Sequence, residues 1–335
     1  MKVPFEVMKD EFTRVFVKYG MDEKKAEICA RIHAESSRDG IFSHGANRVM
    51  RFVEYMKTNW VDVHAEPTLE KSFGALAVYN GNMGPGILNA LTCTDHAIAL
   101  AKKHGIGLVG LRNTTHWMRG GSYGLYAAAK GYIAISWTNT ESCMPPWGAA
   151  ESKIGNNPFV MACPGDDGEP VMLDMAMSQY AYGKLQVTRQ AGQKLPFPGG
   201  FDKDGVLTDD PGAIEESMRI LPMGYWKGSS FAFMLDILGS VLTDGIGAAD
   251  IDKIGKGSCG GASQVFIVID PTQLTDMNHL HETIKKAKAH IKDAKQAEGA
   301  TSIMYPGEDY VTNKAKSAEE GVFIDDGVWA EILAL

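Results

Sequence analysis

The stretch HGIGLVGLRNTTHWMRGGSYG (104–124) contains the pattern G-x-G-x-x-G at Gly105, Gly107 and Gly110. In a Rossmann dinucleotide site this pattern follows a strand and opens a helix. Here the order is reversed, because a helical pattern ends at Gly105 and the apolar run 106–112 is typical of a strand. No acidic residue stands about 20 positions later to hold a ribose. The stretch therefore predicts a helix-to-strand turn and argues against a Rossmann site.

The segments around this stretch predict an α/β centre enclosed by helices. Short apolar runs bounded by Gly, Pro or Asn predict further strands at 77–80, 132–138, 158–163, 170–175 and 264–270. Periodic apolar spacing predicts helices at 4–19, 22–38, 45–58, 85–105, 122–131, 226–245 and from 275 onwards. The fold class is therefore α/β, with a helical shell supplied by both ends of the chain and without a Rossmann fingerprint.

Composition and charge exclude several classes of function. The net charge is −8 and the sequence contains no run of basic residues, which argues against a duplex nucleic-acid partner. The five cysteines are scattered, odd in number and free of C-x-x-C pairs, as in a cytoplasmic protein with reduced thiols. The apolar runs are too short to cross a membrane or to form a signal peptide. We expect a cytoplasmic protein with no nucleic-acid and no membrane partner.

Three motifs favour ordinary structure over the chemistry that they suggest. GGSYG (120–124) matches the nucleophile elbow of serine hydrolases, which requires a strand that runs directly into the serine. A loop separates them here, so Ser122 is expected to cap a helix, and a serine hydrolase stays as the alternative function. DKDGVLTDDPG (202–212) lacks the spacing of a calcium loop and predicts a hairpin with Asp-Gly at its tip. The histidines show no ligand spacing, so no metal site is predicted.

IFSHGANR (41–48) can place an imidazole beside a guanidinium. If Ser43 caps the next helix, His44 lies in its first turn and Arg48 lies one turn later on the same face. Imidazole suits proton transfer near neutral pH, and guanidinium binds a carboxylate through two parallel bonds. The spacing alone still favours a plain helix cap with a surface arginine.

Two further segments combine a cationic or titratable side chain with a helix start. His116 lies in NTTHWMRGGSYG (113–124), which follows a strand and precedes a helix, the usual place for a site in an α/β domain. Lys227 lies in YWKGSS (225–230), where free helix N–H groups favour an anion. A packed loop histidine and a solvent-facing lysine are the simpler interpretations.

Seven motifs of this chain occur in the order found in one enzyme family. They are SHGANR, HGIGLVGLRNTTHWMRGGSYG, WTNTESCMPPWGA, GNNP, LDMAMS, LPMGYWKG and YPGED. In these motifs the chain resembles, from end to end, the type-2 malate/L-lactate dehydrogenase family. The resemblance implies an NAD(P)-dependent oxidoreductase with a non-Rossmann α/β fold, assembled as a homodimer with the active site near the interface. It also implies two domains: 1–112 with 275–335, mostly helical, for substrate and dimerisation, and 113–274 for the cofactor.

The resemblance assigns roles to individual residues. His44 is the expected proton donor and His116 a second catalytic residue, while Ser43 and Arg48 are expected to bind substrate. The expected cofactor contacts are Pro170, Val171, Met172, Leu173, Asp174, Met175, Ala176, Trp226, Lys227, Gly307, Glu308 and Asp309.

The reaction implied by the resemblance is the reversible reduction of a 2-oxo acid to a 2-hydroxy acid. NAD is the expected cofactor, with NADP as the alternative, and the only expected partners are a small-molecule oxo acid and a second copy of the chain. The resemblance favours 2,3-diketo-L-gulonate as substrate, and malate, lactate, ureidoglycolate or a cyclic imine remain alternatives. Many members have Asn-His-Phe in place of Thr115-His116-Trp117, a departure expected to alter the substrate pocket.

Overall fold

The computed structural model describes residues 1–335. Its α-helices, in chain order, are α1 (Phe5–Lys18), α2 (Glu23–Arg38), α3 (Ala46–Lys57), α4 (Gly86–His104), α5 (Gly121–Ala129), α6 (Tyr182–Gln190), α7 (Pro211–Ser217), α8 (Trp226–Thr243), α9 (Ala248–Ile254), α10 (Met277–Lys292), α11 (Glu308–Glu320) and α12 (Asp326–Ala334). Its strands are β1 (Lys2–Val3), β2 (Thr68–Phe73), β3 (Leu76–Asn80), β4 (Ile106–Thr114), β5 (Ile133–Thr138), β6 (Phe159–Cys163), β7 (Val171–Met175), β8 (Gly200–Phe201), β9 (Leu207–Thr208), β10 (Ala262–Ile269) and β11 (Val322–Phe323). Short 3-10 turns lie at Phe42–His44, Gly257–Cys259 and Pro271–Gln273.

A mixed sheet of seven strands forms the centre of the molecule. The strand order is β2-β3-β4-β10-β5-β6-β7, and only β3 and β4 run parallel to each other. A Rossmann sheet is largely parallel, with helical crossovers between neighbouring strands. The observed order therefore confirms the predicted non-Rossmann α/β class.

The three glycines of the G-x-G-x-x-G pattern have separate structural causes. Gly105 ends α4 with a left-handed φ of 83°, which glycine adopts without strain. A side chain at Gly107 would collide with the carbonyl of Ala97 in α4, on one face of the sheet. A side chain at Gly110 would lie 2.6 Å from the carbonyl of Leu242 in α8, on the opposite face. The pattern thus lets helices pack closely on both faces of β4.

Helices from both chain ends form a separate apolar core, as predicted. This core includes Phe12, Phe16 and Phe52 from the amino-terminal helices and Ile332 from α12. The antiparallel pairing of β1 with β11 joins the two ends. A second core lies between α4, α5 and the sheet, and a third lies beneath α8 on the other face.

The predicted domain boundary at 112 and 113 falls inside β4. Strands β2 and β3 come before this boundary and β4 spans it. All three belong to the same sheet as the later strands β10, β5, β6 and β7. The helical cluster around α1 to α3 is still distinct from the sheet. The assignment of substrate and cofactor functions to two domains stays a prediction.

The segment 202–212 forms the predicted hairpin. Strands β8 and β9 pair antiparallel, and Gly205 near the tip has a φ of 82°.

No single helix is long and apolar enough to cross a membrane. Only α8 and α9 together pass by length and composition, and they meet at a bend of 79°.

Candidate active site

The corner between α2 and α3 is shaped by a serine that the sequence did not single out. Helix α3 starts after Gly45, and its cap is Ser37 of α2, whose Oγ accepts a hydrogen bond from Ala46 N at 2.8 Å. A side chain at Gly45 would collide with Ser37, so the close approach of the two helices requires glycine. The prediction that Ser43 caps α3 is therefore wrong. Ser43 and His44 both lie in the preceding 3-10 turn, so the prediction that His44 lies in the first turn of α3 is wrong as well.

His44 and His116 lie 72 positions apart in the sequence, and the fold brings their side chains together. Their rings stack with centroids 5.7 Å apart and an interplanar angle of 27°. Ser43 Oγ lies 3.0 Å from His44 Nδ1, within hydrogen-bond distance. Both rings are half-buried and keep access to solvent. Partial exposure leaves both residues within reach of a small molecule, and we call the space beside the two rings the cleft.

The backbone decides which nitrogen of His116 carries a proton. Met118 N donates a hydrogen bond to His116 Nδ1 at 2.8 Å. Because a backbone N–H can only donate, Nδ1 accepts and the neutral ring carries its proton on Nε2. Burial, followed by the charge of Arg48, lowers the pKa of His116 well below its ordinary value. His116 is thus a neutral hydrogen-bond donor through Nε2.

His44 is neutral in the unliganded protein as well. Burial lowers the pKa of His44 to about 3, and the positive charges of Arg48 and Arg119 contribute in the same direction. The residue is half-buried, and the protein atoms around the ring displace water from it. This desolvation disfavours the charged form of the ring. His44 is therefore prepared to accept a proton, and it needs a nearby negative charge before it can hold one.

Arg48 follows on the same side of this corner and is available to bind an anion. Its Nε donates to the carbonyl of Ser43 at 3.2 Å, which positions the guanidinium beside the histidine. Arg48 forms no ion pair with a carboxylate of the protein; burial lowers its pKa, and a hydrogen bond with the side chain of Tyr55 acts against that shift. The two terminal nitrogens can accordingly form the paired bonds that a bound carboxylate accepts.

Arg119 is a functional neighbour that sequence analysis did not select. Arg119 Nη1 lies 2.5 Å from Asp39 Oδ2, and both side chains are almost fully buried. Asp39 also accepts from Arg38 Nε at 2.8 Å. This pair joins the loop that carries His116 to the end of α2. The only sequence signal was a charged residue inside the apolar loop HWMRGG.

The segment 170–176 forms β7 and its exit, at one edge of the sheet. The carbonyl of Pro170 accepts a hydrogen bond from Tyr310 Oη at 3.0 Å. Gly307 has a φ of 91°, and a side chain there would lie 3.0 Å from Met172 N. Glu308 follows at the start of α11 and pairs with Lys292 at 2.5 Å. The structure therefore brings the predicted turn 307–309 against the first half of the predicted segment.

The other half of the segment leads to the start of α8. Met223 N donates to the carbonyl of Met177 at 2.8 Å, which places Trp226 and Lys227 near the end of β7. Five residues of extended chain separate Met172 from Met177, or about 16 Å. Trp226 and Lys227 thus lie at one end of the segment and the 307–309 turn at the other, with no contact between them in the hydrogen bonds and ion pairs of the structure.

The chemistry of these groups fits a dinucleotide. Lys227 is exposed, forms no ion pair and stands in the first turn of the 18-residue helix α8, a suitable place for a diphosphate. Asp174 Oδ2 accepts from Gly121 N at 2.8 Å, and Oδ1 has no protein partner and can accept from a ribose hydroxyl. The Asp174 side chain is partly exposed to solvent. The protein atoms packed around its carboxyl exclude some water and so raise the pKa of that carboxyl.

Ser122 does not have the surroundings of a hydrolytic nucleophile. It is buried in the first turn of α5 and forms no hydrogen bond with a histidine. Its predicted role as a helix cap is also wrong, because α5 starts at Gly121 and the N–H of that residue is taken by Asp174. No group of three or more His, Cys, Asp or Glu side chains is placed to hold a metal ion.

Thr115 and Trp117, which replace the Asn and Phe of many family members, have buried side chains. Trp117 is 2% exposed and packs against Tyr123 and Phe266 beneath the sheet. Thr115 is also buried, and its hydroxyl donates to the carbonyl of Gly84 at 2.8 Å. Residues 115–117 follow the end of β4 at Thr114, and only His116 of the three is partly exposed. The expected effect of the other two on the substrate pocket stays a prediction.

Comparisons with known proteins match the whole chain. Residues 3–333 match the model of a family described as malate/L-lactate dehydrogenase. The 2,3-diketo-L-gulonate reductase of Escherichia coli O127:H6 is 43% identical over 336 aligned positions, which cover 100% of both chains. The crystal structure of malate dehydrogenase from Entamoeba histolytica superposes with a TM-score of 0.93 at 23% identity, covering 99% of this chain and 96% of that one. Sulfolactate dehydrogenase from Methanocaldococcus jannaschii gives a TM-score of 0.89 at 29% identity, covering 100% and 98%.

Proposed function

The chain belongs to the malate/L-lactate dehydrogenase family and is an oxidoreductase of 2-hydroxy and 2-oxo acids; from this premise we propose that the reaction takes place in the cleft between His44 and His116. The observation that carries the proposal is the stacking of two neutral imidazoles beside an unpaired guanidinium. One ring donates a hydrogen bond, the other exchanges a proton, and Arg48 binds a carboxylate. A 2-oxo acid presents a carbonyl next to a carboxylate and therefore matches all three groups.

Each side chain then has a distinct task. The nicotinamide cofactor, when bound, supplies the hydride that reduces the carbonyl carbon. Arg48 holds the substrate carboxylate and so fixes which face of the carbonyl is presented. His116 donates from Nε2 to the carbonyl oxygen, where negative charge develops. His44 delivers the proton that completes the hydroxyl group.

The low pKa of His44 connects its protonation to substrate binding. The positive charge of Arg48 contributes to the lowered pKa, and a bound carboxylate neutralises that charge. Binding of an oxo acid should therefore raise the pKa of His44 and favour its protonated form. In the direction of oxidation the neutral ring is already suited to accept a proton from the hydroxyl group.

The proposed substrate is 2,3-diketo-L-gulonate, reduced to 3-keto-L-gulonate. The full-length identity of 43% to a protein with that activity in its name supports this choice. Malate, lactate or ureidoglycolate as the hydroxy acid is the alternative within the same family.

The proposed cofactor is NADH. Trp226 and Lys227 would hold one part of the dinucleotide, and residues 170–176 with 307–309 would hold the rest. Asp174 adds a carboxylate to this surface, whereas the carboxylate of Glu308 is already paired with Lys292. Carboxylates accept hydrogen bonds from a ribose diol and repel the additional phosphate of NADP, which supports NAD over NADP.

We further propose a homodimer that covers the outer face of α8. Phe233, Ile237 and Val241 recur at a spacing of four residues on this helix and are 55%, 40% and 70% exposed. Such a stripe on a helix is typical of an interface. Analytical ultracentrifugation should show a dimer for the wild type and dissociation for Val241→Glu, and an intact dimer in that variant would place the interface elsewhere.

A cytoplasmic location completes the proposal. Cys29, Cys93 and Cys259 are buried as free thiols, and burial raises the pKa of each. Such thiols suit a reducing compartment.

The deciding experiment is a panel of oxo acids assayed with NADH and with NADPH. We expect oxidation of NADH with 2,3-diketo-L-gulonate at a higher kcat/KM than with oxaloacetate, pyruvate or NADPH as co-substrate. Preference for oxaloacetate or pyruvate would select the alternative substrates. Failure to oxidise either cofactor with any oxo acid would refute the proposed reaction.

A further inference from the structure

Glu141 occupies a rigid position in the loop between β5 and β6. The neighbouring Thr140 N donates to Asn157 Oδ1 at 3.0 Å, and Asn157 is fully buried. Asn157 Nδ2 in turn donates to the carbonyl of Ala232 in α8 at 2.7 Å. This chain of bonds ties the loop to the body of the molecule, so the direction of Glu141 is set by the fold.

One oxygen of the Glu141 carboxylate is an acceptor without a donor, although the backbone N–H of the same residue also bonds the carboxylate. Its Oε2 atom is buried and has no hydrogen-bond partner in the protein. Burial raises the pKa of Glu141, and the charge of Asp252 acts in the same direction. Arg48 and Arg51 attract the carboxylate electrostatically and lower its pKa, yet neither donates a hydrogen bond to Oε2. An unsatisfied buried acceptor is unfavourable, and a ligand that donates a hydrogen bond to it would relieve that cost.

The position of Glu141 relative to the cleft follows from its neighbours. A side chain on Gly257 would lie 3.7 Å from Glu141 Oε1, and the next residue, Ser258, has its Oγ 3.4 Å from Tyr55 Oη of α3. Tyr55 is seven residues after Arg48 and so shares a face of α3 with it. The charge of Glu141 acts on both Arg48 and Cys259. The pKa of Cys259 also reflects a hydrogen bond with the backbone of His116. Glu141 thus lies near the face of α3 that carries Arg48.

We propose that Glu141 determines substrate specificity by accepting a hydrogen bond from a hydroxyl group of a polyhydroxylated 2-oxo acid whose carboxylate is bound by Arg48. This inference rests on the proposed function, since it needs the oxo acid in the cleft. It adds a criterion for choosing among oxo acids. A sugar-derived acid brings hydroxyl donors, whereas pyruvate brings none.

The same carboxylate discriminates against a dicarboxylic oxo acid. The second carboxylate of oxaloacetate has no hydrogen to donate, and its oxygens would face those of Glu141. Two acceptors without a shared proton repel each other, and the repulsion is strong where water is excluded. A site built to bond a hydroxyl group rejects an analogue that lacks it more strongly than an apolar pocket would.

Glu141→Gln tests the inference, with Glu151→Gln as the matched control. Glu151 lies in the same loop, and its side chain is 74% exposed. Steady-state kinetics with NADH would compare 2,3-diketo-L-gulonate, oxaloacetate and pyruvate. We expect Glu141→Gln to raise KM for diketogulonate about tenfold, to lower KM for oxaloacetate, and to change kcat/KM for pyruvate less than about twofold; a tenfold change corresponds to about 1.4 kcal/mol. Glu151→Gln should match the wild type throughout.

The outcomes separate this inference from the proposed function. A wild type that reduces no oxo acid would overturn both. A wild type that is active while Glu141→Gln retains the wild-type ratios between the three substrates would overturn only the role of Glu141. An equal loss with all three substrates would show that Glu141 maintains the loop, and it would also overturn the inference. Glu141→Ala, which leaves no amide to replace the acceptor, should give the same change in ratios with a larger amplitude.

Discussion

Two regions of this molecule contain histidines whose pKa is lowered by burial, and they differ in almost every other respect. His33 lies in the helical core, 0% exposed, between the rings of Phe16 and Phe52. Its Nδ1 donates to the carbonyl of Cys29 at 2.8 Å, and Nε2 is buried without a partner. His44 and His116 are half-buried and border a cleft.

The comparison shows that a shifted pKa does not by itself identify a catalytic residue. Burial is the largest cause of the lowered pKa in His33 and in His44. What distinguishes the cleft is access, together with an unpaired arginine and a partner ring whose tautomer is set by the backbone. In the core, the same physical effect contributes only to the pH dependence of stability.

Replacement of the cleft histidine should have the largest effect. His44→Ala is expected to lower kcat about 10²–10⁴-fold, the range typical for loss of a positioned acid or base. NADH binding, measured by fluorescence titration, should change little because the ring is not needed to hold the dinucleotide. His290→Ala, an exposed histidine near the end of α10, serves as the control. Near-normal turnover of His44→Ala would remove the proposed role.

The core histidine should instead affect stability at low pH. Burial lowers the pKa of His33 to about 4, from 6.5 in the unfolded chain. The unfolded state therefore binds a proton first, so the contribution of His33 is complete above pH 6.5 and is lost as the pH falls to 4. A shift of this size corresponds to about 3 kcal/mol.

His33→Phe should flatten that part of the pH dependence. Chemical denaturation at pH 7.5 and at pH 4.5 gives the change in unfolding free energy for each protein, and other titrating groups cancel in the comparison with the wild type. The activity of the variant at pH 7.5 should remain close to normal if it folds. Equal pH dependence in the two proteins would mean that His33 is not buried in its neutral form.

Replacement of the Arg48 guanidinium should weaken substrate binding in the cleft by an intermediate amount. In Arg48→Lys one ammonium replaces two parallel bonds to the carboxylate, and we expect kcat/KM for the oxo acid to fall about 10–100-fold. Most of the change should appear in KM. Arg51→Lys, an exposed position on the same helix, is the matched control. Unchanged kcat and KM in Arg48→Lys would exclude the carboxylate clamp.

The smallest effect is expected from the serine that touches His44. Ser43→Ala removes the hydroxyl 3.0 Å from His44 Nδ1, a bond worth about 1 kcal/mol or about a fivefold decrease in kcat. Steady-state kinetics across pH 6–9 would measure it. A decrease as large as that of His44→Ala would mean that Ser43 takes part in the proton transfer itself.

Much of the fold was accessible from local patterns. The helix that ends at Gly105 and the strand that follows it were both predicted, since a left-handed glycine and an apolar run are local signals. The predicted pairing of His44 and Arg48 on one face of α3 was wrong, because His44 precedes α3 and Arg48 reaches back to that turn through the carbonyl of Ser43. The capping of α3 was predicted incorrectly, because Ser37 belongs to the preceding helix and competes with Ser43 only once α2 and α3 pack together.

By itself, the sequence determined the α/β class, the absence of a Rossmann fingerprint and, through ordered motifs, the family and its expected site residues. Only the tertiary structure decided the stacking of His44 on His116, the pairing of Arg119 with Asp39 across 80 positions, and the unpartnered oxygen of Glu141. The physical reason is that helix and strand patterns depend on neighbours a few residues apart. Burial, charge and tautomer depend on groups that the chain brings together from distant segments.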